Sequence, residues 1–116
     1  MARRNHYYLP IANLAQARGS DAALSWDGAG PGDFAAALQE ALRSRTLFEH
    51  WLVKQPEPEA VDPALGATDD QAQVQARVVD LHVEVDVLTS LPMSLLRQRL
   101  GWLIGAAWQL RDVRTA

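Results

Sequence analysis

The stretch Val79-Asp80-Leu81-His82-Val83-Glu84-Val85-Asp86-Val87 decides the fold class. Its apolar residues at 79, 81, 83, 85 and 87 alternate without a break against Asp80, His82, Glu84 and Asp86. A period of two marks a strand with one face in a core and the other in water. Downstream, Thr89 or Ser90 is placed to cap a helix with Pro92 in its first turn, where a missing N–H is harmless. Met93, Leu96, Leu100 and Leu103 form the apolar stripe of that helix, and Gly105 suits its end. Residues 106–113 then alternate Trp108 and Leu110 with Gln109 and Arg111, which predicts a final strand.

Upstream, Asp33 reads as the N-cap of a helix whose Phe34, Leu38, Ala41 and Leu42 recur at helical spacing to about Arg45. Asp21 to Asp27 alternates Leu24 and Trp26 with smaller or polar residues, a short half-buried strand that Gly28-Ala29-Gly30-Pro31-Gly32 terminates. Leu47 to Lys54 reads as a second strand, although a continued helix fits the same residues. Residues 1–18 fit neither period and are expected to form an N-terminal arm. Residues 19–116 are then a single α+β domain with a mobile acidic loop at 55–73, where Pro56, Pro58, Pro63 and Gly66 lie among acids. The order βαββαβ is the split βαβ, or ferredoxin-like, arrangement. Right-handed crossovers then give a four-stranded antiparallel sheet in the order 4-1-3-2 with two helices on one face. Val83 and Leu100 are expected at the centre of the core.

Composition bounds the function. A chain of 116 residues supports one core, and without cysteine it holds no thiolate nucleophile, disulfide or Cys-based metal site. Met1-Ala2-Arg3-Arg4 resembles the start of a signal peptide, but His6, Tyr7, Tyr8 and Pro10 stand where an apolar run is needed. With no stretch of roughly 20 apolar residues to span a bilayer, a cytoplasmic location and no membrane partner are expected. Arg outnumbers Lys ten to one and Ala is abundant, the bias of a GC-rich bacterial genome. The net charge is −3; residues 55–73 hold five acids and no base, so the rest of the chain carries +2. Its arginines are scattered rather than striped, which argues against nucleic acid as a partner. RNA-recognition motifs share the βαββαβ order, but they need aromatics and positive charge where this chain has Asp80, His82, Glu84 and Asp86.

Three groups of residues are candidates for chemistry. His82 and Glu84, joined by His50 if the expected hairpin sets it opposite His82, are the residue types that ligate a divalent metal. The same ladder is also what any half-exposed strand requires. Gly28, Gly30 and Gly32 lead into a helix capped by Asp33, a setting in which backbone N–H groups bind anions. Asp27 and Pro31-Gly32 in this stretch resemble the first turn of ACT domains, amino-acid-sensing modules of the same topology, with two residues inserted between the matching positions. That resemblance implies a small-ligand regulatory domain. Finally, the expected second strand is apolar on both sides, with Phe48 and Leu52 on one and Trp51 on the other. Tyr7, Tyr8, Phe48, Trp51 and Leu52 are therefore the expected interaction surface, covered by the arm or by a protein partner. The leading expectation is a non-enzymatic interaction module that self-associates as a homodimer through the open sheet face or an edge strand. A small-ligand or metal-binding domain is the alternative. No catalytic motif and no cofactor signature is present.

Overall fold

The computed structural model describes residues 4–115. Its order is β1 (Asn5–Ile11), α1 (Pro31–Arg43), α2 (Thr46–Leu52), β2 (Gln73–Val79), β3 (His82–Thr89), α3 (Met93–Ile104) and β4 (Asp112–Thr115), with short 3₁₀ turns at Leu14–Gln16, Pro58–Ala60 and Pro63–Gly66. The strands form one sheet in the order β2-β3-β1-β4, and each neighbouring pair is antiparallel. The chain is therefore α+β, with a four-stranded antiparallel sheet and three helices. Among the described residues, no helix is long and apolar enough to cross a membrane.

From residue 82 onward the alternation does what it dictates: Val83, Val85, Val87 and Thr89 are buried and His82, Glu84, Asp86 and Leu88 lie on the opposite face. Before it, Val79 ends β2 and Asp80-Leu81 form the turn into β3, with Leu81 exposed rather than in the core. Tyr7, Leu9 and Ile11 of β1 join the buried side, opposite Val87, Val85 and Val83. Phe34, Leu38 and Leu42 of α1 and Leu96, Leu100 and Leu103 of α3 close the core over them. Val83 and Leu100 are both buried there. The molecule is only 18 Å thick, which leaves room for one sheet and one helical layer about 10 Å apart. The face bearing Glu84 and Asp86 therefore has no layer on it.

Several other segments differ from their sequence reading. Residues 5–11 form β1, at the centre of the sheet, rather than an arm lying over it. Pro10 conceals this, because proline is foreign to central strands. Its tolerance here has a local cause: β1 pairs with β4 only from Asn5 to Tyr8, so at Pro10 that side of β1 is an edge. Gln109 N–H donates to the Pro10 carbonyl and needs no N–H in return. For the same reason residues 106–111 are irregular and β4 begins only at Asp112.

Residues 21–27 form turns rather than a strand. Leu24 and Ser25 N–H both donate to the Asp21 carbonyl, while Gly19 N–H, Trp26 N–H and the Ser25 hydroxyl converge on the Leu103 carbonyl at the end of α3. Residues 46–52 are helical, because spacings of three and four place Phe48, Trp51 and Leu52 on one side, with Phe48 and Trp51 against Trp102 of α3. The second strand instead begins at Gln73, where the acidic loop ends. That loop is held down by two buried polar groups. Arg99, fully buried, donates to the carbonyls of Ala41, Leu65 and Ala67, and Asp69 accepts from the Thr89 hydroxyl and from Ser90 and Gln71 N–H.

Candidate functional site

β2 and β3 are joined by the two-residue turn Asp80-Leu81, with Val79 opposite His82 and Asp80 at φ 55°, a left-handed conformation that Asp tolerates. In such a hairpin the closing pair is hydrogen-bonded, so Gln73, Gln75, Arg77 and Val79 direct their main-chain groups at β3. Val74, Ala76 and Val78 therefore direct theirs off the edge of the sheet. An independent contact fits this parity: Val74 N–H donates to Gln39 Oε1 of α1 at 3.0 Å. Arg43 of the same helix donates to the Ala72 carbonyl at 2.6 Å. Helix α1 thus covers the first half of the β2 edge. Among the described residues, no side chain takes the outward N–H of Ala76 or Val78. Val78 is 63% exposed and Leu81, at the tip of the turn, 97%.

The open face of the sheet is a mixed-charge surface. Arg111 pairs with Glu84, whose second oxygen lies 3.3 Å from His82 Nε2. Partial burial pushes the Glu84 carboxyl up, but the hydrogen bond and charge of Arg111, aided by His82, hold it below the ordinary range. His6 stacks on Tyr8 with ring centroids 4.4 Å apart, and the Arg114 guanidinium lies over the Tyr8 ring while its Nε bonds Asp112 at 2.8 Å. Arg111 with Glu84 and Arg114 with Asp112 are thus paired on this face.

The sequence-predicted residues are scattered by this arrangement. Tyr7 and Phe48 are buried, Tyr7 donating its hydroxyl to the Leu91 carbonyl, so neither is available to a partner. Tyr8 lies on the open face, and Trp51 and Leu52 are half-buried on α2. His50 is exposed on α2 and Val79, not His50, faces His82. The hairpin register that would unite His50, His82 and Glu84 does not occur, because the strand before β3 is 73–79. Among the described residues no group of three acids or histidines is placed to hold a metal.

At the glycine loop, Gly30 is the cap of α1 and Asp33 sits in its first turn, not at the cap. The Asp33 carboxylate accepts from Ala29 N–H at 3.0 Å and so occupies a donor an anion would use. Gly28 is there for packing: a Cβ would lie 2.6 Å from that of Asp33 and 2.8 Å from the Trp26 ring. Gly30 and Gly32 face open space.

Gln39, Val78 and Leu81 were missed because edges are invisible until strand order is known. Arg99 was legible: it stands at the i+3 position of the stripe Leu96, Leu100, Leu103, where a charge signals a buried partner set. Burial, and secondarily the charge of Arg45, pulls its pKa down to about 10. No family model, curated protein or solved structure matches this chain.

Proposed function

We propose that this chain is a self-associating interaction module that pairs with a second copy along the uncovered half of β2. The observation that carries the reading is the asymmetry of that edge: the Val74 N–H is taken by Gln39, whereas among the described residues no side chain takes the N–H of Ala76 or Val78, which stand beside two exposed apolar side chains. Edge strands of this kind are templates for another strand unless charge, proline or a bulge blocks them, and residues 75–79 contain only Arg77, which points to the open face. An antiparallel two-fold pairing centred on Val78 sets Val78 against its own copy and Arg77 against Val79, so no like charges stand directly opposite. It also stops short of Val74, leaving the Gln39 cap intact. The sheet order, taken from β4, runs 4-1-3-2, with α1 and α3 each spanning a crossover. That order is consistent with a ferredoxin-like domain carrying α2 as an extra helix.

The pairing uses few main-chain bonds and little area, so the association is expected to be weak and concentration-dependent. Sedimentation equilibrium over a range of concentrations tests it. The wild-type mass should rise from monomer toward dimer, and Val78→Lys should stay monomeric throughout. A wild-type chain that remains monomeric at every concentration, or a Val78→Lys chain that still dimerises, would overturn the proposal.

A further inference from the structure

Beside Pro10, residues 106–111 run along β1 without regular strand structure, Gln109 and Arg111 N–H donating to the Pro10 and Tyr8 carbonyls, and a groove of about 650 Å³ lies against them. This lies within the range of small-molecule sites. Its lining includes Pro10, Ala12, Trp108, Arg111 and His82 and no acid. Trp108 is half-buried, and Arg97 lies over its ring at 5.5 Å without entering this groove, which fixes the indole as a wall. Arg111 is held through one Nη by Glu84, while its Nε and other Nη make no protein hydrogen bond among the described residues. Its side chain is 53% exposed. A guanidinium with spare donors and an indole that line one groove suit a planar ring bearing a carboxylate, the ring on Trp108 and the carboxylate on Arg111.

We infer that this groove is a binding site for a small aromatic carboxylate, anchored by Arg111 and Trp108. The site is independent of the β2 edge and leaves Glu84 as the residue that positions Arg111. The probes are benzoate and its neutral counterpart benzamide, followed by NMR at the Trp108 indole N–H, assigned by its loss in Trp108→Phe. Benzoate should shift that signal saturably and bind at least about tenfold more tightly than benzamide, the value of one charge-assisted hydrogen bond pair. Arg111→Gln should remove the difference between the two probes, and Arg111→Lys should keep part of it. The same titration on the Val78→Lys chain should give the same affinities, separating this site from self-association. No movement of the Trp108 signal up to the solubility of benzoate, equal binding of the two probes, or undiminished selectivity in Arg111→Gln would each overturn the inference.

Discussion

The two ends of β2 are attended to very differently. At the 72–74 end, Ala72 O bonds Arg43, Val74 N–H bonds Gln39, and Ala72 N–H bonds the carbonyl of Asp69, whose carboxylate is in turn tied to Thr89 and Ser90. At the 76–81 end nothing among the described residues covers the edge, and the strand ends in a turn with Leu81 almost wholly in water. Both ends belong to one strand with ordinary β-forming residues. The contrast shows that an edge is protected by what reaches it from elsewhere, here α1 and the preceding loop, and not by the strand's own composition.

The largest way to break the pinned end is through Arg99. Arg99→Ala removes the donor shared by the carbonyls of Ala41, Leu65 and Ala67 and leaves a cavity, so it should cost about 3 to 5 kcal/mol in chemical denaturation. Arg99→Met, which fills the space but satisfies no carbonyl, should fall between this and the wild type.

Asp69→Ala comes next. It strands the Thr89 hydroxyl and two backbone N–H groups and should cost about 2 to 3 kcal/mol. Burial raises the Asp69 carboxyl, but those three hydrogen bonds outweigh it and leave the pKa below its ordinary value. Because the folded value is the lower one, its contribution is complete above the ordinary carboxylate pKa and is lost as the pH falls through the folded value. Unfolding followed from neutral to acid pH should therefore lose less stability in Asp69→Ala than in the wild type. An equal loss in both would place the acid sensitivity elsewhere.

Gln39→Ala should cost about 1 kcal/mol or less and, by freeing Val74 N–H, should lengthen the available edge and strengthen dimerisation. If association weakened instead, the first half of β2 would not limit the pairing. The smallest effect on stability is expected at the bare end: Val78→Lys should change the unfolding free energy by less than about 0.5 kcal/mol, because the side chain is mostly in water. A large destabilisation there would mean that Val78 belongs to the core.

What the sequence disclosed follows the same division. β3, α3 and the body of α1 were legible because each keeps an unbroken period and buries one face of it. β1 was hidden by Pro10, whose fitness depends on β4 ending two residues short of it, a fact no local window contains. Phe48, Trp51 and Leu52 satisfy a strand period and a helix period equally, and only the meeting with Trp102 decides between them. The acidic loop looked free because its prolines and acids say nothing of Arg99, which lies about thirty residues onward and sits in a helix stripe. The expected metal ligands are set apart by register, and of the expected interaction surface Tyr7 and Phe48 are needed for the core while Tyr8, Trp51 and Leu52 stay partly exposed.

The central claim is that only the second half of β2 is open to a second chain. Amide hydrogen exchange at Ala76 and Val78, measured by NMR at low and high protein concentration, tests it at the atoms concerned. The Val78 amide, set against its own copy, should exchange fast when dilute and slow down as the concentration rises. Ala76, which falls opposite the turn residue Asp80, should slow less, and Gln75 and Arg77, bonded to β3, should stay slow at both. Equally fast exchange of Ala76 and Val78 at every concentration would contradict the account.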